Sequence, residues 1–190
     1  MLEAVLEGMP RVVTRSLDQD GKLASRCASG DPQVFEEMYH RLGGRLKSVA
    51  FNHLGSMTDA EDAVQETFLK VHRAAATFTG EASFTTWVFR ILINTCYDML
   101  RKRKRRGDEG PLDDLPPATS SAAVDDLKRI ALRRMLDSLP EQRRTVFTLF
   151  EIEGLSHAEI AEILNISEGN SKWILFATKK ELQKQWKEAR

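Results

Sequence analysis

Six consecutive cations, Arg101-Lys102-Arg103-Lys104-Arg105-Arg106, follow a segment whose polar positions include a tryptophan. That combination suits nucleic acid, because lysine and arginine neutralise phosphates and an indole face stacks on an unpaired base. Taken from Trp87 at 100° per residue, Arg90, Asn94, Asp98 and Arg101 fall within about 60° of it on an ideal helix. Phe84, Val88, Ile91, Leu92, Thr95 and Met99 occupy the neighbouring arc, which is the expected core face. The competing reading is a half-buried tryptophan beside a solvated charge run, and the helix by itself leaves both open.

Most other periodic segments also read as helix, so the chain is expected to be all-α: two small helical domains joined by a flexible acidic linker. Residues 1–17 read as a flexible N-terminal tail, 18–106 as the first domain, 107–122 as the linker and 123–190 as the second domain. In the first domain, Asp18 can cap a helix to Ser29, and Asp31-Pro32 opens one to about His53 that Gly43-Gly44 weakens. Thr58-Asp59-Ala60-Glu61 fits a capping box ahead of the apolar stripe Ala60, Val64, Phe68, Val71 and Ala75. Thr77 to Ala82 is a loop, and Ser83 caps the Trp87 helix.

From Gly107 to Asp126 there are six carboxylates and no lysine or arginine, among glycines, prolines and serines that make no core. Helices resume from Ala123 to Ser138 and from Pro140 to Glu153. A second capping box, Ser156-His157-Ala158-Glu159, opens a short helix to Leu164, and a turn at Asn165-Ile166 leads to a last helix from Ser167 to Lys187. Short helix, tight turn and longer helix have the form of a helix-turn-helix, which presents its second helix to a major groove.

Two stretches resemble a known family. Asp59-Ala60-Glu61-Asp62-Ala63-Val64-Gln65-Glu66-Thr67-Phe68, with Phe84-Thr85-Thr86-Trp87-Val88-Phe89-Arg90-Ile91 and Asn94-Thr95 into the basic run, resembles the second conserved domain of bacterial sigma factors. Leu139-Pro140-Glu141-Gln142-Arg143 and Gly154-Leu155-Ser156-His157-Ala158-Glu159-Ile160-Ala161-Glu162-Ile163-Leu164 resemble the fourth. With only a short linker between them, the chain is similar to the extracytoplasmic-function (ECF) subfamily. The resemblance implies that Asp62, Gln65 and Glu66 dock on core RNA polymerase. It implies that Phe78, Phe84, Trp87, Arg90, Asn94, Arg101 and Arg103 hold the minus-ten promoter element, a base flipped from the stack being captured by the loop from Phe78 to Thr85. Capture of that base offsets a melting cost of a few kcal/mol without any catalytic step. The linker, with Asp113 and Asp114, would thread toward the RNA exit path, although a plain tether explains it equally well.

The last helix departs from the family pattern. In place of small and basic residues it reads Gly169-Asn170-Ser171-Lys172-Trp173-Ile174-Leu175-Phe176-Ala177-Thr178-Lys179-Lys180. Ser171, Leu175, Thr178 and Leu182 make the inward face, leaving Trp173 and Phe176 outside. Ser167, Asn170, Lys172, Trp173, Phe176, Lys179 and Lys180 are therefore assigned to the minus-35 element or to a partner. Three explanations compete for the aromatic pair: contact with thymine methyls or sugars, with Lys172, Lys179 and Lys180 on phosphates; a patch for a protein such as an anti-sigma factor; or packing against the first domain.

Lysine plus arginine and aspartate plus glutamate each total 28, so any pull toward DNA must come from local segregation of charge. Cys27 and Cys96 show no ligand spacing, and His40, His53, His72 and His157 are scattered, so partly exposed structural histidines and no metal or cofactor are expected. Met9, Met38, Met57, Met99 and Met135 read as gap-fillers or surface residues, and Trp186 as a packing residue. No signal peptide, membrane span, phosphate loop or nucleophile with a base is evident, so a cytoplasmic non-enzyme is expected. The function implied is promoter recognition with core RNA polymerase and promoter DNA as partners, under anti-sigma control. The alternatives are a non-sigma helix-turn-helix regulator and an interaction adaptor.

Overall fold

The computed structural model describes residues 22–107, apart from 24, 28 and 30, and residues 134–188. The tail at 1–17, most of the linker with Asp113 and Asp114, and the first turns of the helix expected from Ala123 lie outside the described residues. Among the described residues every regular element is helical. Contacts separate a unit built around α1 (Pro32–Leu54), α2 (Met57–Ala74) and α3 (Phe84–Arg106) from one built around α4 (Glu141–Phe147) and α6 (Glu168–Glu188). A π-helix, Thr148–Ile152, and α5 (His157–Leu164) lie between α4 and α6 in the chain.

Asp31 caps α1 as expected, its carboxylate accepting from Gln33 N at 2.9 Å with Pro32 in the first turn. Gly43 and Gly44 do not interrupt the helix, which runs for 23 residues and ends on Gly55 at φ 73°. The capping box expected at Thr58 gives way to an earlier start. Gly55 closes α1 in the left-handed conformation and leaves Ser56 extended, so Ser56 caps α2 and accepts from Asp59 N at 3.2 Å. The α2 stripe buries Ala60, Val64 and Val71, while Phe68 is half-buried and Ala63 and Thr67 complete the seam.

Ser83 caps α3 by accepting from Thr86 N at 3.0 Å. The buried arc is wider than the periodicity predicts: Phe89, Ile93 and Cys96 join Phe84, Val88, Leu92 and Thr95, whereas Ile91 and Met99 are half-buried. The reason is that α3 packs on both α1 and α2, so a single stripe cannot face them both. Two other residues are more deeply buried than expected. Met38 is a core residue that accepts a 3.2 Å contact from the Cys27 thiol, and His53 is sealed against Val49 O at 3.0 Å. Burial pushes the Cys27 thiol up to about 11, which keeps it protonated and inert.

The helix expected from Pro140 to Glu153 is α-helical only to Phe147 and then widens into the π-turn, where Glu153 N donates to Thr148 O at 3.1 Å. The wider turn lets Thr148, Leu149 and Glu151 all face inward. The box ahead of α5 forms as the sequence predicts: Glu159 N donates to Ser156 Oγ at 3.3 Å and Ser156 N donates to Glu159 Oε2 at 2.8 Å. Asn165 turns the chain at φ 53°. Ser167 then accepts from Asn170 N at 3.1 Å, and α6 buries Ser171, Ile174, Leu175, Thr178 and Leu182.

Candidate nucleic-acid interface

Three rings meet where the loop enters α3. Phe78 stands edge-on to Phe84 at 5.5 Å and 5.2 Å from Trp87, with Phe84 to Trp87 at 5.6 Å. Phe84 is only 2% exposed, so it forms the floor rather than a contact surface; Phe78 and Trp87 are half-buried above it. The loop between them needs Gly80, at φ 78°. An aromatic group entering here gains offset or edge contacts of about 1 kcal/mol each beyond area burial.

One turn beyond Trp87, Arg90 is half-buried, with its Nε sealed from solvent and without a hydrogen-bond partner. Asn94 is exposed, and Arg101 is exposed and paired with Asp98. Arg103 departs from the expectation of a DNA contact. It is the least exposed of the run and reaches back to the Leu54 carbonyl at 3.4 Å and to Asp59 at 4.0 Å, tying the end of α1 and the start of α2 to α3. The C-terminal carbonyls of a helix attract a cation, which accounts for its direction.

On α2, Asp62 and Gln65 are exposed, while Glu66 is half-buried 3.7 Å from Lys70, whose ammonium donates to Thr95 Oγ1 at 3.0 Å. The three predicted docking residues thus share one outward face, with Glu66 partly committed to the helix pair. A neighbouring feature escaped the periodicity. Tyr39 (56% exposed) and Leu69 (52%) stand off the apolar stripe, and Tyr39 lines a shallow cleft beside Gln65. Their sequence signal was two large apolar residues on polar arcs.

In the second unit Trp173 is 61% and Phe176 67% exposed, as the helical wheel predicts. They line an open groove between α6 and Arg143 of α4, together with Ala177, Lys180, Glu181, Gln183, Lys184 and Lys187. Lys180 is exposed, but Lys172 pairs with Glu168 at 2.6 Å and holds that carboxyl below its usual range. Lys179 is not placed for phosphates: its ammonium lies 2.6 Å from the buried Glu151 carboxylate on the π-helix. Ser167 spends its hydroxyl on the cap, and Asn170 is exposed beside it. His157 stacks on Phe150 at 4.4 Å and meets Ser171 Oγ at 2.9 Å; burial first, then Lys172, holds its pKa below 6.5. Among the described residues no cluster of three metal-ligating side chains occurs, and no helix is long and apolar enough to cross a membrane.

Residues 38–106 match the family described as Sigma-70 region 2, and residues 129–182 that described as Sigma-70, region 4. The chain is 32% identical over 154 residues to the ECF RNA polymerase sigma factor SigM of Mycobacterium tuberculosis, covering 80% of this chain and 77% of that one. It is 30% identical over 178 residues to the ECF RNA polymerase sigma-E factor of Haemophilus influenzae, covering 86% and 93%. A solved structure of CnrH in complex with the cytosolic domain of CnrY superposes with a TM-score of 0.71 at 26% identity, covering 90% of this chain and 99% of that one. Two helical units in that order, with an aromatic cluster and a cationic run on the first and a helix-turn-helix in the second, place the chain in the ECF branch of the bacterial sigma-70 family of RNA polymerase sigma factors.

Proposed function

We propose that this chain binds core RNA polymerase through α2 and directs it to promoters, with the first unit holding the melted minus-ten element and the second reading the minus-35 element. The observation that carries the assignment is the layout of α3: a shallow ring cluster at its start and six cations at its end, on one 23-residue helix. Such a helix spans about 33 Å, enough to stack a flipped base at one end while following several phosphates of the same strand. Asp62, Gln65 and Glu66 dock on the polymerase. Phe78 and Trp87 stack on the base over Phe84, and Arg90, Asn94 and Arg101 hold the backbone. The chain contributes binding energy and positioning and no catalytic group, and it works in the cytoplasm. Control by an anti-sigma factor is supported by the likeness to CnrH, which was solved with the cytosolic domain of CnrY.

The test is a pull-down of bacterial core RNA polymerase followed by run-off transcription on a genomic fragment library, with and without the protein. Specific new transcripts establish the assignment and give the promoter sequence from their start sites. Absence of core binding by folded protein overturns it in favour of a separate helix-turn-helix regulator, and core binding without transcripts overturns the promoter-reading part in favour of an adaptor.

A further inference from the structure

The outward stripe of α6 changes chemistry along its length. Counted from Trp173 at 100° per residue, Gly169, Asn170, Phe176, Ala177, Lys180, Lys184, Lys187 and Glu188 all fall within about 60° of it. The first turns of the stripe are small or polar, then aromatic, and beyond Ala177 it carries three lysines before Glu188, which pairs with Lys184 at 3.8 Å; at 1.5 Å per residue the cations begin about 10 Å past the indole. A helix partner lying along this face would call for apolar residues repeated to the end of the stripe, and here they stop after one turn. The sequence of chemistries matches a helix whose first turns enter the DNA major groove and whose later turns leave it past the backbone: apolar atoms at groove depth, cations at the phosphates.

Two further facts narrow what the aromatic pair reads. Ile174, next to the indole, is only 4% exposed and aliphatic, so this turn offers no guanidinium to a guanine. Lys179 is held by the buried Glu151 and is not presented to a base edge, whereas Lys172 is exposed in a surface pair with Glu168 and stays within reach of the backbone. Exposed in the first turns are an indole, a phenyl ring, the Asn170 amide and the Glu168–Lys172 pair, so the large apolar surface offered there is that of the two rings. In the major groove the apolar group available to rings is the thymine C5-methyl.

We propose that Trp173 is a specificity-determining residue of the minus-35 contact and reads a thymine methyl, with Phe176 closing the same apolar pocket. This rests on the reading of the second unit as the minus-35 binder. Burying one methyl group corresponds to a preference of about fourfold for thymine over a base lacking it.

The experiment uses the full chain with core RNA polymerase on a promoter obtained by run-off transcription, its minus-35 region randomised, comparing wild type with Trp173→Ala and Trp173→Phe. The expected result is a thymine preference of about fourfold at one position, near uniform in Trp173→Ala and largely kept in Trp173→Phe. Replacing that thymine by deoxyuridine, which deletes only the methyl, lowers wild-type transcription by the same factor and leaves Trp173→Ala unchanged. Thermal melting and core binding of each variant show that it is folded. An unchanged base preference in active Trp173→Ala, or indifference of the wild type to deoxyuridine, overturns the inference and returns the pair to a protein-docking role. If the wild type yields no specific transcripts at all, the underlying sigma reading fails instead.

Discussion

Lys179 and Glu151 form an ion pair at 2.6 Å in which the carboxylate is nearly sealed and the ammonium is partly in solvent. Removing the lysine leaves a buried charge without its cation, which costs several kcal/mol in a dry site and less where water can reach. Lys179→Ala is expected to destabilise the second unit by about 2 kcal/mol, read from chemical denaturation. Glu151→Gln, which removes the charge to be compensated, should restore most of the loss in the double variant.

Arg101 and Arg103 lie two residues apart in the same cationic run and should behave differently. Arg101 is exposed, so Arg101→Ala should reduce the salt dependence of holoenzyme binding to a promoter bubble by about one phosphate contact. Arg103→Ala should leave that slope unchanged and instead lower the stability of the first unit by about 1 kcal/mol, through loss of the link to Leu54 and Asp59. Equal salt slopes for the two variants would contradict the inward placement.

Core binding is expected to weaken in Asp62→Lys and in Gln65→Ala, both exposed on α2. The charge reversal should cost more, about tenfold or greater, since it places a cation where the assignment has an anion. Titration of labelled core polymerase measures this, and wild-type affinity in both variants would remove the assigned docking face.

Ser156 carries one half of a reciprocal cap. Ser156→Ala is expected to cost about 1 kcal/mol of stability, because Glu159 N loses its acceptor and Glu159 loses a hydroxyl donor. Ser156→Thr should retain most of it, which distinguishes the cap from general packing at the site.

His157 provides a pH signature. Its folded pKa lies below 6.5, because burial and Lys172 disfavour the charged ring and Glu168 offsets only part of this. As pH falls below 6.5 the unfolded chain takes up the proton first, so the stability associated with His157 is complete above that value. It declines as pH falls toward the folded pKa and levels off beneath it. Denaturation midpoints measured between about pH 7.5 and pH 5 should show this decline, and His157→Gln should flatten that part of the curve.

The caps at Asp31, Ser83 and Ser156 and the outward placement of Trp173 and Phe176 were legible because each depends on spacing within one helix. At Ser56 two overlapping capping patterns, Ser56 to Asp59 and Thr58 to Glu61, were equally good locally. The choice was made by Gly55, whose left-handed turn ends the previous helix. The π-turn left no trace in the apolar pattern, since its benefit is the burial of Glu151 against a lysine far along the chain. The inward turn of Arg103 was illegible for a similar reason. Six adjacent cations look alike until the Leu54 carbonyl is in place beside one of them. Of the site, the ring cluster was anticipated as residues, while the role of Phe84 as a floor required its neighbours.

The cationic run stays helical up to Gly107, which closes α3 at φ 70°. Six consecutive positions at 100° each go once round the axis and beyond, so the charges form a collar at the helix end and not a stripe. A stripe has an orientation that one substitution can spoil; a collar presents a cation in every direction from which a backbone can approach. With Arg103 committed inward, the other five cover the remaining arc of about 200°, from Lys104 round to Arg106. The arrangement is therefore redundant over that arc, tolerant of drift at any one of its five exposed positions, and permissive of a wide range of angles between the helix and the strand it follows.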